Sequence, residues 1–446
     1  MTDLLAARSQ MGISLAFHII FAVIGIGMPL LMLVAEWRWQ RTGDKLYLEL
    51  AKRWAKGTAI MFAVGAVSGT VLSFELGLLW PGFMRFAGPI IGMPFSLEGF
   101  AFFTEAIFLG IYLYGWDRIA PRAHLAAGVL VALSGALSGI FVVIANAWMN
   151  TPTGFTMVDG VPTGIDPIAA IFNPAAFSQT LHMTIAAYSA TGFGVAGIHA
   201  LMLRRNPRNA FHRRALAVAL MVGGPAALLQ PLSGDLSAKM VARSQPAKFA
   251  AMEGHFRTEQ GAPFVIGGVP DMETRETRYA IRIPKVLSFL ARGDFDAEVT
   301  GLDRVPRDEW PNVPLVHWSF QVMVGLGMFL VGCTLLAAWT VLRKREPAEQ
   351  PLLLGALVLA SPMGFIATEA GWMVTELGRQ PWVIQGVMRT SEAVTPMPGL
   401  VVPFLFFSGL YVLLAVAVVW LMRRQVLSSP DIEERPGVVT PLPQGA

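Results

Sequence analysis

Nine apolar runs recur along the chain, and each is long enough to cross the hydrocarbon core of a bilayer, which takes about 20 helical residues. The runs cover residues 13–36, 57–80, 95–115, 125–147, 177–203, 215–234, 318–342, 352–374 and 400–422. The pattern predicts an all-α, polytopic membrane protein with nine transmembrane helices.

Basic residues alternate between the connections. The first connection holds six lysines and arginines, the second only Arg85, the fourth (148–176) none and the fifth five. Arg423 and Arg424 follow the last run. Because basic connections stay in the cytoplasm, we expect the N-terminus outside and the C-terminus in the cytoplasm.

The connections divide the chain into four regions. The outer connection at 235–315 is the longest and is rich in charge, without clear strand or helix periodicity. A loop of this length is usually functional or disordered. It separates six spans at 1–234 from three at 316–424, and residues 425–446 are predicted to form a polar cytoplasmic tail.

Composition supports the membrane assignment. Apolar residues make up 54% of the chain and charged residues 14%, against about 25% charged in soluble domains. The net charge of +4 could suggest a nucleic-acid partner, but topology accounts for the basic residues, so none is expected. The single cysteine, Cys333, excludes an intrachain disulfide, a CxxCH haem attachment and a thiolate cluster.

Ionisable side chains occur within the spans, most of them toward the outer side. They are His18, Glu75, Glu98, Glu105, His182, Glu369 and Glu376. Two pairs, Glu98 with Glu105 and Glu369 with Glu376, are seven residues apart, so each pair shares one helix face. Ionisable groups are costly in a bilayer and normally mark a cofactor, ion or proton site.

Haem fits these residue types, because a His/Met pair suits a low-spin haem and an open His or carboxylate site suits one that meets oxygen. A single transmembrane His can equally be a structural hydrogen-bonding group, which is how we interpret His199. We interpret His124 and His212 as solvated residues of the basic inner connections. A proton- or solute-coupled transporter, with Glu98 and Glu105 carrying protons, stays an alternative.

A set of motifs resembles subunit I of the cytochrome bd-type quinol oxidases. Residues 376–382 read Glu-Leu-Gly-Arg-Gln-Pro-Trp, after Glu-Ala-Gly-Trp at 369–372. Other matches are Arg8 and Gln10 before His18, the segments 96–99 and 102–105, Gly-Trp-Asp-Arg at 115–118 and Ala-Asn-Ala-Trp-Met at 145–149. The resemblance covers nearly the whole chain, with the motifs in family order.

The resemblance implies haem ligands. His182 and Met323 match the axial pair of the low-spin haem b558. His18 and Glu376 match the axial ligands of two further haems, b595 and d, with Glu98 near them. Which of His18 and Glu376 serves which haem stays open.

It also implies roles for other residues. Glu105 and Ser138 match a proton path from the cytoplasm, while Arg379 and Trp372 resemble residues that support the haem cluster. Lys248 and Glu253 match the quinol-binding pair of the outer loop. Without the resemblance, this pair would be interpreted as a solvated helical turn.

Two departures resemble the cyanide-insensitive branch of the family. Gln321 stands where the family often has an arginine two residues before the axial methionine, and the quinol loop is short. Losing that positive charge should lower the reduction potential of the low-spin haem. The resemblance to this branch leaves two alternatives for the third haem: haem d, or a b haem in its place.

The implied function is that of the haem-bearing subunit of a terminal quinol oxidase in the bacterial inner membrane. It would oxidise ubiquinol outside and reduce O2 to water with cytoplasmic protons, generating a proton motive force without pumping. An oxidase subunit II, and in some cases a small single-helix subunit, are the implied partners. Two alternatives stay open. One is menaquinol as the substrate, and the other is that the protein is a haem quinol dehydrogenase without an oxygen site.

Overall fold

The computed structural model describes residues 1–427 and residue 430. Within that part, nine helices are long and apolar enough to span a membrane, as predicted. They are α1 Asp3–Thr42, α2 Lys45–Leu79, α3 Pro81–Tyr114, α4 Pro121–Asn150, α6 Ala176–Arg205, α7 Ala210–Ser244, α10 Val313–Leu342, α11 Pro351–Gly378 and α13 Val401–Leu427. The shorter helices are α5 Pro167–Ile171, α8 Pro246–Glu253, α9 Val286–Arg292 and α12 Thr390–Ala393. Most of the predicted polar tail lies outside the described residues.

The helices are longer than the apolar runs that predicted them. The largest shift of a single boundary is in α3, which begins at Pro81 rather than near residue 95. Proline is favoured at the first helical position, where its missing N–H costs nothing. Likewise, α7 continues to Ser244, so the predicted boundary at 234/235 falls inside a helix.

Helix α1 lies at the centre of the bundle and packs against α2, α4, α6 and α13. Helix α3 packs on α4, while α7 and α11 each pack against both α6 and α10. Small residues permit the closest approaches: a Cβ on Gly192 of α6 would lie 2.5 Å from the Cα of Gly223 on α7. Such contacts are typical of membrane helix pairs, since close packing replaces the hydrophobic driving force.

The long connection between α7 and α10 is folded. It contains α8, α9, two short 3-10 helices (Leu302–Arg304 and Arg307–Glu309) and the antiparallel hairpin of β4 (Phe264–Asp271) and β5 (Glu276–Ile283). Strands β3 (Glu259–Gln260) and β6 (Glu298–Val299) pair at its base. Gly267 and Gly268 adopt φ of +67° and +88° in β4, which interrupts the alternation that identifies a strand in sequence.

Two further hairpins lie in other connections. Strands β1 (Thr156–Val158) and β2 (Val161–Thr163) pair between α4 and α5, and β7 (Trp382–Ile384) pairs with β8 (Met388–Arg389) after α11. The second hairpin is fixed to α4, because Gln385 N–H donates to the Met149 carbonyl at 2.9 Å. The fold is therefore a helical bundle with small sheets confined to its connections.

Candidate functional site

Consecutive spanning helices run in opposite directions, so the starts of α1, α3, α6 and α10 lie at the same end of the bundle as the ends of α2, α4, α7 and α11. The folded connection between α7 and α10 lies at this end too. All the haem-ligand candidates sit on these helices. His18, His182 and Met323 lie in the first halves of their helices and Glu376 lies in the last turn of α11, so the four candidates lie toward the same end of the bundle.

His18 lies on α1 facing α2. Its Nδ1 is 2.9 Å from Ser68 Oγ, which leaves Nε2 available as a ligand. Gly69 lies against the ring, where a Cβ would come within 3.0 Å of His18 Cε1. Further along the same helix pair, Gln10 and Ser14 donate to Glu75 Oε1 at 3.0 and 2.8 Å.

The two carboxylates of α3 have different surroundings. Glu98 Oε1 accepts a hydrogen bond of 3.2 Å from Ser138 on α4. Glu105 is 5% exposed, and its Oε1 is buried without a hydrogen-bond partner among the described residues. Ser138 is thus brought to Glu98, although the resemblance grouped it with Glu105 on the proton path.

His182 and Met323 lie on α6 and α10, which share α7 and α11 as neighbours. His182 Nδ1 is 3.0 Å from Ser233 Oγ on α7. On α11, a Cβ on Gly371 would lie 3.0 Å from Met323 Sδ. Trp372, the next residue, packs against Ile19 and Val23 of α1 together with residues of α6.

A chain of hydrogen bonds joins Lys248, in the connection between α7 and α10, to Glu376. Lys248 Nζ donates to Asn150 Oδ1 at 2.6 Å, and Asn150 Nδ2 donates to the backbone and side-chain oxygens of Asn146. Asn146 Nδ2 in turn donates to Glu376 Oε1. The other carboxylate oxygen of Glu376 accepts from Arg379. Two residues that are 128 positions apart in sequence therefore belong to one polar network.

Arg379 is the charged centre of this network. It is only 2% exposed, and its Nε and Nη1 are buried without partners among the described residues. A cavity of about 220 Å³ opens beside it, with Gln245, Lys248, Arg304, Glu309 and Trp382 among its lining residues. Buried guanidinium donors need anionic acceptors, so this wall of the site suits a carboxylate-bearing ligand.

Lys248 and Glu253 are both 3% exposed, so the alternative of a solvated helical turn is wrong. Burial, and then the neighbouring Arg379, lower the pKa of Lys248 well below its usual range, against the opposing charge of Glu376. Burial raises the pKa of Glu253 to about 8. They are five residues apart on α8, so they point in different directions and contact different parts of the protein.

Three further residues lie in places that the sequence did not indicate. The side-chain amide of Gln321 accepts one hydrogen bond from the backbone of β4 and donates another to it. Asn150 and Gln245, which donates to Asn150, were missed as members of the network. Their signal was weak, because a polar residue at a helix end is normally solvated or a cap.

The interpretation of His124 and His212 as solvated residues is wrong. His124 is 3% exposed and lies 2.9 Å from Glu36 Oε1 and 3.0 Å from the Tyr112 carbonyl. His212 is also 3% exposed, and its Nδ1 lies 2.8 Å from Nδ1 of His199. The second contact agrees with a structural role for His199. Connections rich in charge can still bury a histidine where helix ends pack.

The ligand candidates fit haem. His18 and His182 each have Nδ1 close to a serine hydroxyl, which orients the ring. Nε2 of His18 is left for iron, whereas Nε2 of His182 lies 3.2 Å from the Gln230 side-chain nitrogen, which iron would have to displace. Gly69 lies beside His18 and Gly371 lies beside Met323, and a Cβ at either glycine would fill the space next to the candidate ligand. The unpartnered donors of Arg379 suit haem propionates. These features define a membrane protein with half-buried candidate haem ligands on several helices, a class typical of respiratory haem proteins.

Comparison with known proteins gives the family. The model of the cytochrome bd terminal oxidase subunit I family matches residues 6–430, and the chain belongs to this family. It is 40% identical over 439 residues to a putative cytochrome bd menaquinol oxidase subunit I of Bacillus subtilis, covering 97% of this chain and 99% of that protein. The cytochrome bd ubiquinol oxidase subunit 1 of the same organism is 32% identical, covering 96% and 94%.

A more distant relative and a solved structure agree with this family assignment. The cytochrome bd-II ubiquinol oxidase subunit 1 of Escherichia coli is 28% identical, covering 95% of this chain and 96% of that protein. The structure of bd oxidase from Geobacillus thermodenitrificans superposes with a TM-score of 0.91 at 39% identity, covering 96% of this chain and 99% of that one. The expected fold and family are confirmed.

Proposed function

We propose that this chain is the haem-bearing subunit of a terminal quinol oxidase, a quinol:oxygen oxidoreductase of the bacterial inner membrane. The observation that carries the proposal is the hydrogen-bond network from Lys248 through Asn150 and Asn146 to Glu376. It joins the loop residue matched to quinol binding to a haem-ligand candidate. A solute transporter has no need of this connection, and membership of the oxidase family argues against that alternative.

His182 and Met323 would hold haem b558, and His18 and Glu376 would hold haems b595 and d, or a b haem in place of d. Bound haem supplies electron transfer and oxygen binding. The protein orients the ligands: Ser68 holds the His18 ring, Ser233 holds the His182 ring, and Asn146 with Arg379 holds the Glu376 carboxylate. Arg379 would also bind propionates.

Quinol oxidation is proposed at the loop that carries Lys248 and Glu253. Glu253 is buried, with Oε2 unpartnered among the described residues, and its raised pKa of about 8 suits a group that accepts a proton near neutral pH. Lys248 donates hydrogen bonds and links the loop to Asn150. We place this loop on the outer, extracytoplasmic side of the membrane, so quinol protons leave on that side.

Chemical protons are proposed to enter from the cytoplasm by way of Glu105. Ser138 donates to Glu98, so it acts at the outer part of the path, next to the His18 region. With the N-terminus outside, quinol protons leave on one side and chemical protons enter from the other. This separation generates a proton motive force without pumping.

A subunit II is the expected partner, because the relatives are named as subunit I or 1 of their oxidases; we propose a small single-helix subunit in addition. The relatives' names include menaquinol and ubiquinol oxidases. We propose ubiquinol as the substrate, and assays with both quinols test this. Gln321 and the short loop support the cyanide-insensitive branch, which a cyanide titration of oxygen uptake tests.

The deciding experiment is a dithionite-reduced-minus-oxidised spectrum of the purified complex with pyridine haemochrome counting. Three haems, one of them reactive with carbon monoxide, together with quinol-driven oxygen uptake, are expected. A single low-spin haem would instead mean a quinol dehydrogenase. A preparation without haem would return the chain to the transporter class.

A further inference from the structure

Gln321 is bound to the quinol loop through both ends of its side chain. Its Oε1 accepts from Gly267 N–H at 3.0 Å, and its Nε2 donates to the Val265 carbonyl at 3.0 Å. Both partners lie in β4, which pairs with β5 on one edge only. A free strand edge exposes unpaired backbone groups, and the glutamine amide satisfies two of them as a neighbouring strand would.

His317 lies one helical turn before Gln321 on α10 and is fully buried. Its Nε2 is 2.9 Å from the Gly267 carbonyl, and its Nδ1 is 2.8 Å from the Met252 carbonyl. Met252 immediately precedes Glu253. The following residue, Gly254, has a φ of +62°, and a Cβ there would lie 3.2 Å from His317 Nδ1 and 2.6 Å from Thr277 Oγ1.

These contacts join three parts of the site. Helix α10 carries Met323, α8 carries Glu253, and β4 forms the adjoining hairpin. His317 contacts both loop elements, and Gln321, two residues from Met323, contacts β4. The position of the Glu253 carboxyl relative to Met323 therefore depends on two side chains that have no assigned role in quinol oxidation.

We propose that His317 and Gln321 form a clamp that positions the quinol loop against the low-spin haem helix. They are positioning residues: they act through Glu253 and β4 and need not touch quinol. This inference rests on the proposed function, since it deepens the quinol site. Misplacement of a reacting group by about 1 Å can cost about 10²-fold in rate, so loosening the clamp should be visible in quinol kinetics.

The test uses the purified complex with His317→Phe and Gln321→Met, which keep approximate volume but remove the polar contacts. Ser319→Ala is the matched control, because its hydroxyl bonds within α10 to the Leu315 carbonyl and does not reach the loop. We expect quinol kcat/KM to fall at least tenfold in both clamp variants and to stay unchanged in the control. The double variant should lose little more than either single one, because the two side chains act as a unit.

Two further measurements separate the clamp from other causes. The low-spin haem spectrum and the oxygen reaction of the dithionite-reduced enzyme should match wild type, and hydrogen exchange of β4 amides should become faster. Unchanged kcat/KM, a changed low-spin spectrum, or an equal loss in Ser319→Ala would overturn the clamp. If the first variants do not assemble, His317→Gln and Gln321→Asn replace them, and unchanged exchange and kinetics there would also overturn it.

If the proposed function is wrong, the experiments give a different result from the one expected if only the clamp is wrong. A wild-type complex that does not oxidise quinol contradicts the oxidase assignment. The exchange of β4 amides still tests the clamp in that case, because the contacts of His317 and Gln321 do not depend on turnover.

Discussion

The side-chain nitrogen of Lys248 donates a 2.6 Å hydrogen bond to the side-chain oxygen of Asn150, at the last residue of α4. Lys248 also lies against Gly378, where a Cβ would come within 2.8 Å of its Cγ. The lysine is therefore enclosed between α4 and the end of α11. It is a link between the connection from α7 to α10 and the Glu376 region, and its substitution should affect both.

Replacing Asn150 tests this link. Asn150→Ala leaves the buried side-chain nitrogen of Lys248 without its acceptor, at a cost of about 1–3 kcal/mol, and removes the donor to Asn146. We expect weaker quinol oxidation together with an altered high-spin haem spectrum, and the same pattern in Lys248→Met. Asn173→Ala is the control, since Asn173 is equally buried but bonds to Thr151, Ile144 and Ala170. A normal haem spectrum in both test variants would restrict Lys248 to quinol binding.

Glu253 should determine the pH dependence of quinol oxidation. Because its pKa is raised to about 8, the fraction able to accept a proton increases with pH up to that value. We expect kcat/KM to rise about tenfold per pH unit below pH 8 and then level off, whereas Glu253→Gln gives a low, flat profile. Steady-state quinol kinetics between pH 6 and 9 measure this; a flat wild-type profile would remove the proton-accepting role.

The same group should make the loop less stable at high pH. A carboxyl whose pKa is raised on folding stabilises the folded form below its ordinary pKa of 4.5, and this stabilisation is lost as pH rises to about 8. Amide exchange of the loop should accelerate over this interval in the wild type. Glu253→Gln should lack that acceleration, and an equal change in both proteins would assign it to another group.

Met323→Leu should alter only the low-spin haem. The substitution keeps size and apolarity, so packing should lose under about 1.5 kcal/mol, but it removes the sulfur ligand. We expect that haem to become high-spin or to be lost, and quinol oxidation to collapse. Met328→Leu, at a residue of the same helix that is 53% exposed, should leave the spectrum intact. An unaltered low-spin spectrum in Met323→Leu would return this methionine to core packing.

Substitutions of the two carboxylates of α3, Glu98 and Glu105, should have different effects. Glu98→Ala should perturb the high-spin haems, and Ser138→Ala should follow it weakly because Ser138 donates to Glu98. Glu105→Gln keeps the volume but cannot release a proton, so it should retain haem and slow the proton-requiring step of oxygen reduction. Time-resolved oxygen reaction of the reduced enzyme measures this. Wild-type rates in Glu105→Gln would leave that residue as a structural acid.

Local sequence contained enough information for the spans and for the family, whose motifs supply the candidate ligands. Transfer of a helix into lipid depends on a sum over about 20 adjacent residues, so the nine runs could be found without knowledge of packing. Motifs such as residues 376–382 are likewise contiguous, and they indicated the family. The hairpin of β4 and β5 was missed, because Gly267 and Gly268 interrupt the strand periodicity.

Tertiary structure decided which polar groups meet. The contacts of Lys248 with Asn150, of Gln321 with β4 and of His124 with Glu36 join residues that are distant in sequence. No local pattern encodes such pairs, because burial at a helix end depends on which neighbouring element covers it. The same charged or amide side chain is solvated when that end is open and becomes part of a buried network when another segment packs on it.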